Sequence, residues 1–297
     1  MQKKSVSSNN SLIKKAAYLR LKVADFAEGM KSGNFRSLYR GQGVDFSGVR
    51  EYNRGDDIRS IDWNVTARMG RPYVKIFEEE CELQVLIVMD SSLSMHLDCG
   101  NRKPTKYETG AQAAALIAIA SEMNGCPVGA VFFDGQIHFS CKPQFGRERT
   151  MLLLTHLDRL PEKKVKGSVL GNALIGADKI LRKRSLVFVI SDFRSADWEK
   201  PLIKLAQKND VVALRLTDEF DRSLPSLGSV TFKDMESDLT MVLPTSSEKL
   251  KKEWKNQNES MLWRWQETCL KHGVLPYEMS ASDDPLHALS VIFEAKK

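Results

Sequence analysis

Leu83-Gln84-Val85-Leu86-Ile87-Val88-Met89-Asp90-Ser91-Ser92-Leu93-Ser94 is the stretch on which the fold turns. Its first seven residues are almost continuously apolar and lack the two-residue alternation of a half-exposed strand. Both faces must therefore be covered, as in a central strand of a parallel sheet. The run stops at a carboxylate followed by hydroxyls. Downstream, Tyr107 to Met123 is Ala-rich and apolar all round, which predicts a buried helix. Val128 to Phe133 reads as a second strand, turned by Asp134-Gly135 into a hairpin partner, Gln136 to Cys141. Arg147 to Leu157, Leu170 to Leu181 and Trp198 to Gln207 read as helices, and Leu186 to Ile190 and Val211 to Leu216 as further buried strands. This alternation predicts an α/β fold, a Rossmann-like, mostly parallel sheet with helices on both faces. Ser229 to Leu243 then alternates as an antiparallel hairpin. Leu250, Trp254, Met261, Trp265 and Cys269 form the core stripe of a long helix, and Asp283-Asp284-Pro285 opens a last short one.

Upstream, residues 1–10 read as a disordered tail. Leu12, Ala16, Leu19, Val23, Phe26 and Met30 recur at helical spacing. Tyr39 to Lys75, rich in Gly, Arg, Asp and aromatics, shows little periodicity and reads as irregular. The acidic run Glu78-Glu79-Glu80 marks a composition shift. The expected division is a tail at 1–10, an N-terminal helix and Arg/Asp/Gly-rich segment at 11–80, and the α/β domain at 81–297.

With 297 residues, 42% hydrophobic and 28% charged, the chain has the composition of a soluble globular protein and not of a disordered one. The longest apolar run, Ala113 to Ala120, is far short of the roughly 20 residues of a bilayer helix. No apolar signal region follows Lys3-Lys4. The five cysteines are scattered and include no Cys-x-x-Cys pair, which argues against a disulfide framework or zinc knuckle and for free thiols in the cytoplasm. Recruitment by a membrane protein is compatible with this. The net charge is +6, and residues 1–80 carry 15 Lys and Arg against 10 Asp and Glu. Nucleic-acid binding through this basic N-terminal quarter is thus one alternative. Between Arg40 and Arg71, however, the basic residues alternate with Asp45, Glu51, Asp56, Asp57 and Asp62, unlike the uncompensated clusters that track a phosphate backbone.

The chemistry converges on the carboxyl ends of the strands, where ligands bind in open α/β sheets. Asp90-x-Ser92-x-Ser94 offers three hard oxygens from one loop. Ser168, in the loop before a helix, and Asp192, ending another buried strand, supply two more. Mg²⁺ or Mn²⁺ takes such oxygens with few carboxylates and completes its shell with water or an outside ligand, so one such ion is expected here with modest affinity. The competing reading is that these residues cap helices and turns. No Gly-x-Ser-x-Gly, Gly-Lys or His-Glu-x-x-His occurs, and the histidines form no spaced set. The enzymatic alternative is a Mg-dependent hydrolase or phosphatase using Asp90. Phosphatases of the haloacid-dehalogenase type, however, need a second carboxylate where Ser92 stands.

Asp90-x-Ser92-x-Ser94, Gly167-Ser168-x-x-Gly171-x-Ala173-Leu174 and Ile190-Ser191-Asp192, in that order, resemble the metal-ion-dependent adhesion site of von Willebrand factor type A domains. Ser168 stands for the usual Thr, and Phe193 for the usual Gly. Gly41-x-Gly43-x-Asp45-Phe46, Arg50-x-Tyr52-x-x-Gly55-Asp56-Asp57-x-Arg59-x-Ile61-Asp62-Trp63 and Ala67-Arg68 resemble the signature of the family called domain of unknown function fifty-eight. The resemblance implies a type A-like fold and a non-enzymatic, metal-dependent interaction module. It also implies partnership with a MoxR-type AAA-plus ATPase in chaperone-like maturation of a client protein, whose acidic residue would complete the metal shell. Many relatives carry membrane spans ahead of this domain. The block Arg50, Asp56, Asp57, Arg59, Asp62 and Arg68 has two readings: a docking surface, or a buried salt-bridge lattice interleaved with Tyr52, Ile61 and Trp63.

Overall fold

The computed structural model describes Leu12 and residues 43–53, 56–80, 83–97, 104–159, 167–224, 226, 228–233 and 240–294. The expected tail and most of the N-terminal helix lie outside these. The chain forms two compact units, residues 36–83 and the remainder.

In the smaller unit, β1 (Gly43–Glu51) is followed by a 3-10 turn (Ile58–Ser60), α1 (Trp63–Met69) and β2 (Tyr73–Glu80). β1 and β2 pair antiparallel with a bulge between Phe46 and Gly48. Part of the stretch read as irregular is thus a long hairpin. Its glycines, its bulge and the intervening α1 break the two-residue alternation that would have revealed it. Asp62 caps α1, accepting from Asn64 N and Val65 N, and Gly70 ends it at φ 69°, a conformation open to residues without a Cβ.

The larger unit runs β3 (Gln84–Asp90), α2 (Lys106–Met123), β4 (Val128–Phe133), β5 (Ile137–Gln144), α3 (Arg147–Asp158), α4 (Leu170–Ile180), β6 (Ser185–Ser191), α5 (Glu199–Ala206), β7 (Asp210–Thr217), α6 (Glu219–Arg222), β8 (Ser229–Lys233), β9 (Thr240–Pro244), α7 (Glu248–Lys271), β10 (Leu275–Ser280) and α8 (Pro285–Glu294). Six strands form one sheet in the order β10-β7-β6-β3-β4-β5. All its pairings are parallel except β4–β5. β8 and β9 make a separate antiparallel pair, as expected.

The continuous apolar runs are explained by burial on both faces. Leu86 and Val88 of β3, with Val187 and Val189 of β6, pack with Leu170 and Leu174 of α4, Leu202 of α5 and Trp265 of α7. Val85, Ile87 and Met89 face the other way and are equally enclosed. On that side α2 lies against the sheet at Gly110, where a Cβ would come within 2.7 Å of Leu216 and 2.9 Å of Met89. α2 is apolar nearly all round because it is buried nearly all round. It starts at a capping box in which Thr105 and Glu108 satisfy each other's backbone N–H groups. Among the described residues no helix is long and apolar enough to cross a membrane.

Candidate metal centre

β3 and β6 are adjacent and parallel, so their carboxyl ends bring Asp90 and the Ser191-Asp192 pair to one edge. Asp90 is 1% exposed. Its Oδ1 accepts from Ser92 N at 2.8 Å, and its Oδ2 accepts from the hydroxyls of Ser191 at 2.7 Å and Ser168 at 3.2 Å. The Ser92 and Ser94 hydroxyls lie 3.1 Å apart. Ser168 is carried in by the loop before α4, whose Val169 N donates to Asp134 O at the end of β4. Asp192 is also enclosed. Its Oδ2 accepts from Lys106 Nζ at 3.0 Å and its Oδ1 from Arg194 N at 3.2 Å. The structure therefore gathers all five residues singled out in the sequence.

The two carboxylates have opposite electrostatic fates. Burial, and then the neighbouring charge of Asp192, push Asp90 up to about 7, against the hydrogen bonds it accepts. Burial also works to raise Asp192, but the cations Lys106 and Arg194 outweigh it and hold its pKa below the ordinary carboxylate range. Asp90 has no cationic partner among the described residues.

Lys106 was not legible as a site residue. It sits one place inside the α2 cap, 1% exposed, and lies 3.8 Å from Asp218 and 3.7 Å from Asp221 besides its bond to Asp192. Burial works to lower its pKa, but the three carboxylates reverse the sign and raise it. Asp221 also pairs with Arg194. Asp218 and Asp221 cap α6 reciprocally.

Sequence reading also missed the pair Ser91–His138. Ser91 Oγ lies 2.8 Å from His138 Nε2 and donates to Phe133 O at 2.9 Å. Burial lowers the His138 pKa.

Phe193 occupies the left-handed region at φ 55°, a conformation that glycine adopts more readily. Its ring packs 5.3 Å from Trp198 and 5.5 Å from Trp265.

Among its described residues, the block from Arg50 to Arg68 is a set of surface bonds within the smaller unit, not a buried lattice. Arg50 forks Asp56 at 2.7 and 2.8 Å, and this bond, with one from Asn53 N, lowers the Asp56 pKa to about 2. Asp57 accepts from Arg59 N at 2.9 Å, and Asp62 caps α1. Arg68 is exposed, and Trp63 is 66% exposed.

The donor set fits a hard cation. Asp90 and three hydroxyls converge, and burial together with the neighbouring Asp192 charge pushes Asp90 toward neutrality. Among the described residues no group of three or more His, Cys, Asp or Glu could hold a metal. That argues against a zinc-type or strongly chelating site.

Residues 48–261 match the family model described as "Protein of unknown function DUF58". Uncharacterized proteins of Mycobacterium bovis and Mycobacterium tuberculosis are each 31% identical over 223 residues, 74% of this chain and 69% of theirs. Among solved structures, an aerotolerance-related membrane protein from Bacteroides fragilis aligns with 72% of this chain and 99% of its own, at 18% identity and a TM-score of 0.48.

Proposed function

The chain belongs to the DUF58 family, and from that premise we propose that it is a non-enzymatic protein-interaction module whose docking depends on a divalent cation at Asp90. The carrying observation is the convergence of Asp90, Ser92, Ser94 and Ser168 oxygens at the carboxyl edge of the sheet. Asp90, Ser92, Ser94 and Ser168 would hold Mg²⁺ or Mn²⁺. Asp192, whose oxygens already accept from Lys106 and Arg194, would stand beside the ion. A bound cation supplies a Lewis-acidic position that an Asp or Glu of a partner can fill.

The chain's own residues prepare that position. Ser92 N, Ser191 and Ser168 aim the Asp90 carboxylate. Lys106 neutralises Asp192, so the site is not doubly anionic and does not repel an acidic partner. Surrounding polar and apolar contacts would supply most of the affinity, and the acidic contact its direction. The reading extends to a MoxR-type AAA-plus ATPase as partner and to action on a client protein in the cytoplasm, both carried by the family resemblance.

Surface-immobilised MoxR-type ATPase tests this directly. Binding should weaken in chelator, recover with Mg²⁺ or Mn²⁺, and weaken in Ser92→Ala. Equal affinity in chelator and in metal would refute metal-dependent docking.

A further inference from the structure

A second feature of the same sheet edge is independent of the metal reading. Between β7, β10, α6 and α7 lies a cavity of about 350 Å³, lined by Arg215, Thr217, Asp221, Asn258 and Glu278, with Lys255, Glu259 and Leu262 along α7. Arg215 is 6% exposed. Its guanidinium carbon lies 5.7 Å from the centroid of the Trp265 ring, its Nε has no hydrogen-bond partner, and it forms no ion pair among the described residues. A guanidinium enclosed with no anion in ion-pair contact is costly. Burial lowers its pKa, although Asp221 and Glu278 act the other way.

The neighbouring groups already have partners of their own. Asp221 pairs with Arg194 and Lys106, Glu278 accepts from Thr217 at 3.1 Å, and Lys255 pairs with Glu259 at 3.7 Å. The wall thus offers one under-used planar cation amid an excess of carboxylates. A dianion such as phosphate meets repulsion there. An uncharged ligand leaves Arg215 unanswered. A molecule with one carboxylate and one ammonium answers both charges, and the volume suits one or two residues of such a molecule.

We propose that this cavity binds an amino-acid-type zwitterion, a free amino acid or short peptide, with its carboxylate forked by Arg215 and its ammonium turned to the wall carboxylates. Leu262 provides the apolar wall for a side chain.

The probe is glycyl-L-leucine, titrated into the full chain in chelator. The Arg215 Nε–H resonance, assigned by its loss in Arg215→Gln, is followed by nitrogen–proton NMR. A saturable shift is expected, with acetate and inorganic phosphate at least about tenfold weaker. Asn258→Trp, which fills the cavity from α7 while leaving Arg215 in place, should abolish the shift and keep the wild-type unfolding midpoint. No saturable shift, phosphate binding as tight as the dipeptide, or unchanged binding in a folded Asn258→Trp protein would each overturn the assignment.

Discussion

The ammonium of Lys106 stands 3.0 Å from the carboxylate of Asp192 with the two side chains only 1% and 3% exposed, which makes a residue of the α2 cap the resident counter-ion of a strand-end acid. Breaking a buried pair from one side strands the other charge and costs about 3–5 kcal/mol. Lys106→Met leaves Asp192, Asp218 and Asp221 together without their shared cation. Urea unfolding at pH 7 should show a loss of that order, shrinking as acid protonates the carboxylates. A loss independent of pH would mean that the side chain acts by packing alone.

Asp90 titrates in the opposite sense to an ordinary stabilising carboxylate. Its folded pKa of about 7 lies above the ordinary value of 3.8. Its contribution is therefore fully present below pH 4 and is lost as pH rises through 7. In chelator, Asp90→Asn should remove this loss, so the stability of the variant relative to wild type should grow from pH 4 to 7 and then level off. Parallel urea midpoints across that range would contradict the assignment.

Titration calorimetry on the purified chain should detect Mg²⁺ or Mn²⁺ binding of modest affinity, because the ligands are mostly uncharged. Asp90→Ala should abolish the heat. Asp192→Ala should reduce it strongly, by leaving the Lys106 ammonium without its partner beside the ion. Full binding in both variants would exclude the site.

Phe193→Gly sets two effects against each other. Relieving a left-handed backbone gains about 1–2 kcal/mol, whereas losing a buried phenyl ring costs about 3–5 kcal/mol. Packing wins, so the variant should be less stable by about 2 kcal/mol in denaturant unfolding. A more stable variant would show that the ring contacts on Trp198 and Trp265 are weak.

Gly129 lies where β5 crosses β4 through an irregular register, and a Cβ there would come within 2.6 Å of Pro143 N and 2.7 Å of Cys141 O. Backbone cannot yield as a side chain can, so Gly129→Ala should cost about 1–3 kcal/mol. Amide exchange should accelerate first in β5.

The central strands were legible because burial on both faces leaves an unbroken apolar signature, and the strand-end positions of Asp90 and Asp192 were legible from it. β10 was not. Leu275-Pro276-Tyr277-Glu278 mixes a proline and a charge into a half-buried edge strand, so neither a continuous run nor a clean alternation survives. Lys106 and Arg215 were missed for another reason. Long cations are usually surface residues, and nothing local in the sequence says that a helix cap or a strand end will enclose them. The β1–β2 hairpin was hidden by its bulge and by the insertion of α1.

The antiparallel strand β5 closes the sheet on the side away from β10, with Lys142 and Pro143 near its end and two register breaks along its pairing with β4. A proline lacks the N–H that an incoming strand would use, and bulges twist an edge out of line. Strand-on-strand growth is therefore disfavoured at the Lys142–Pro143 end of this border.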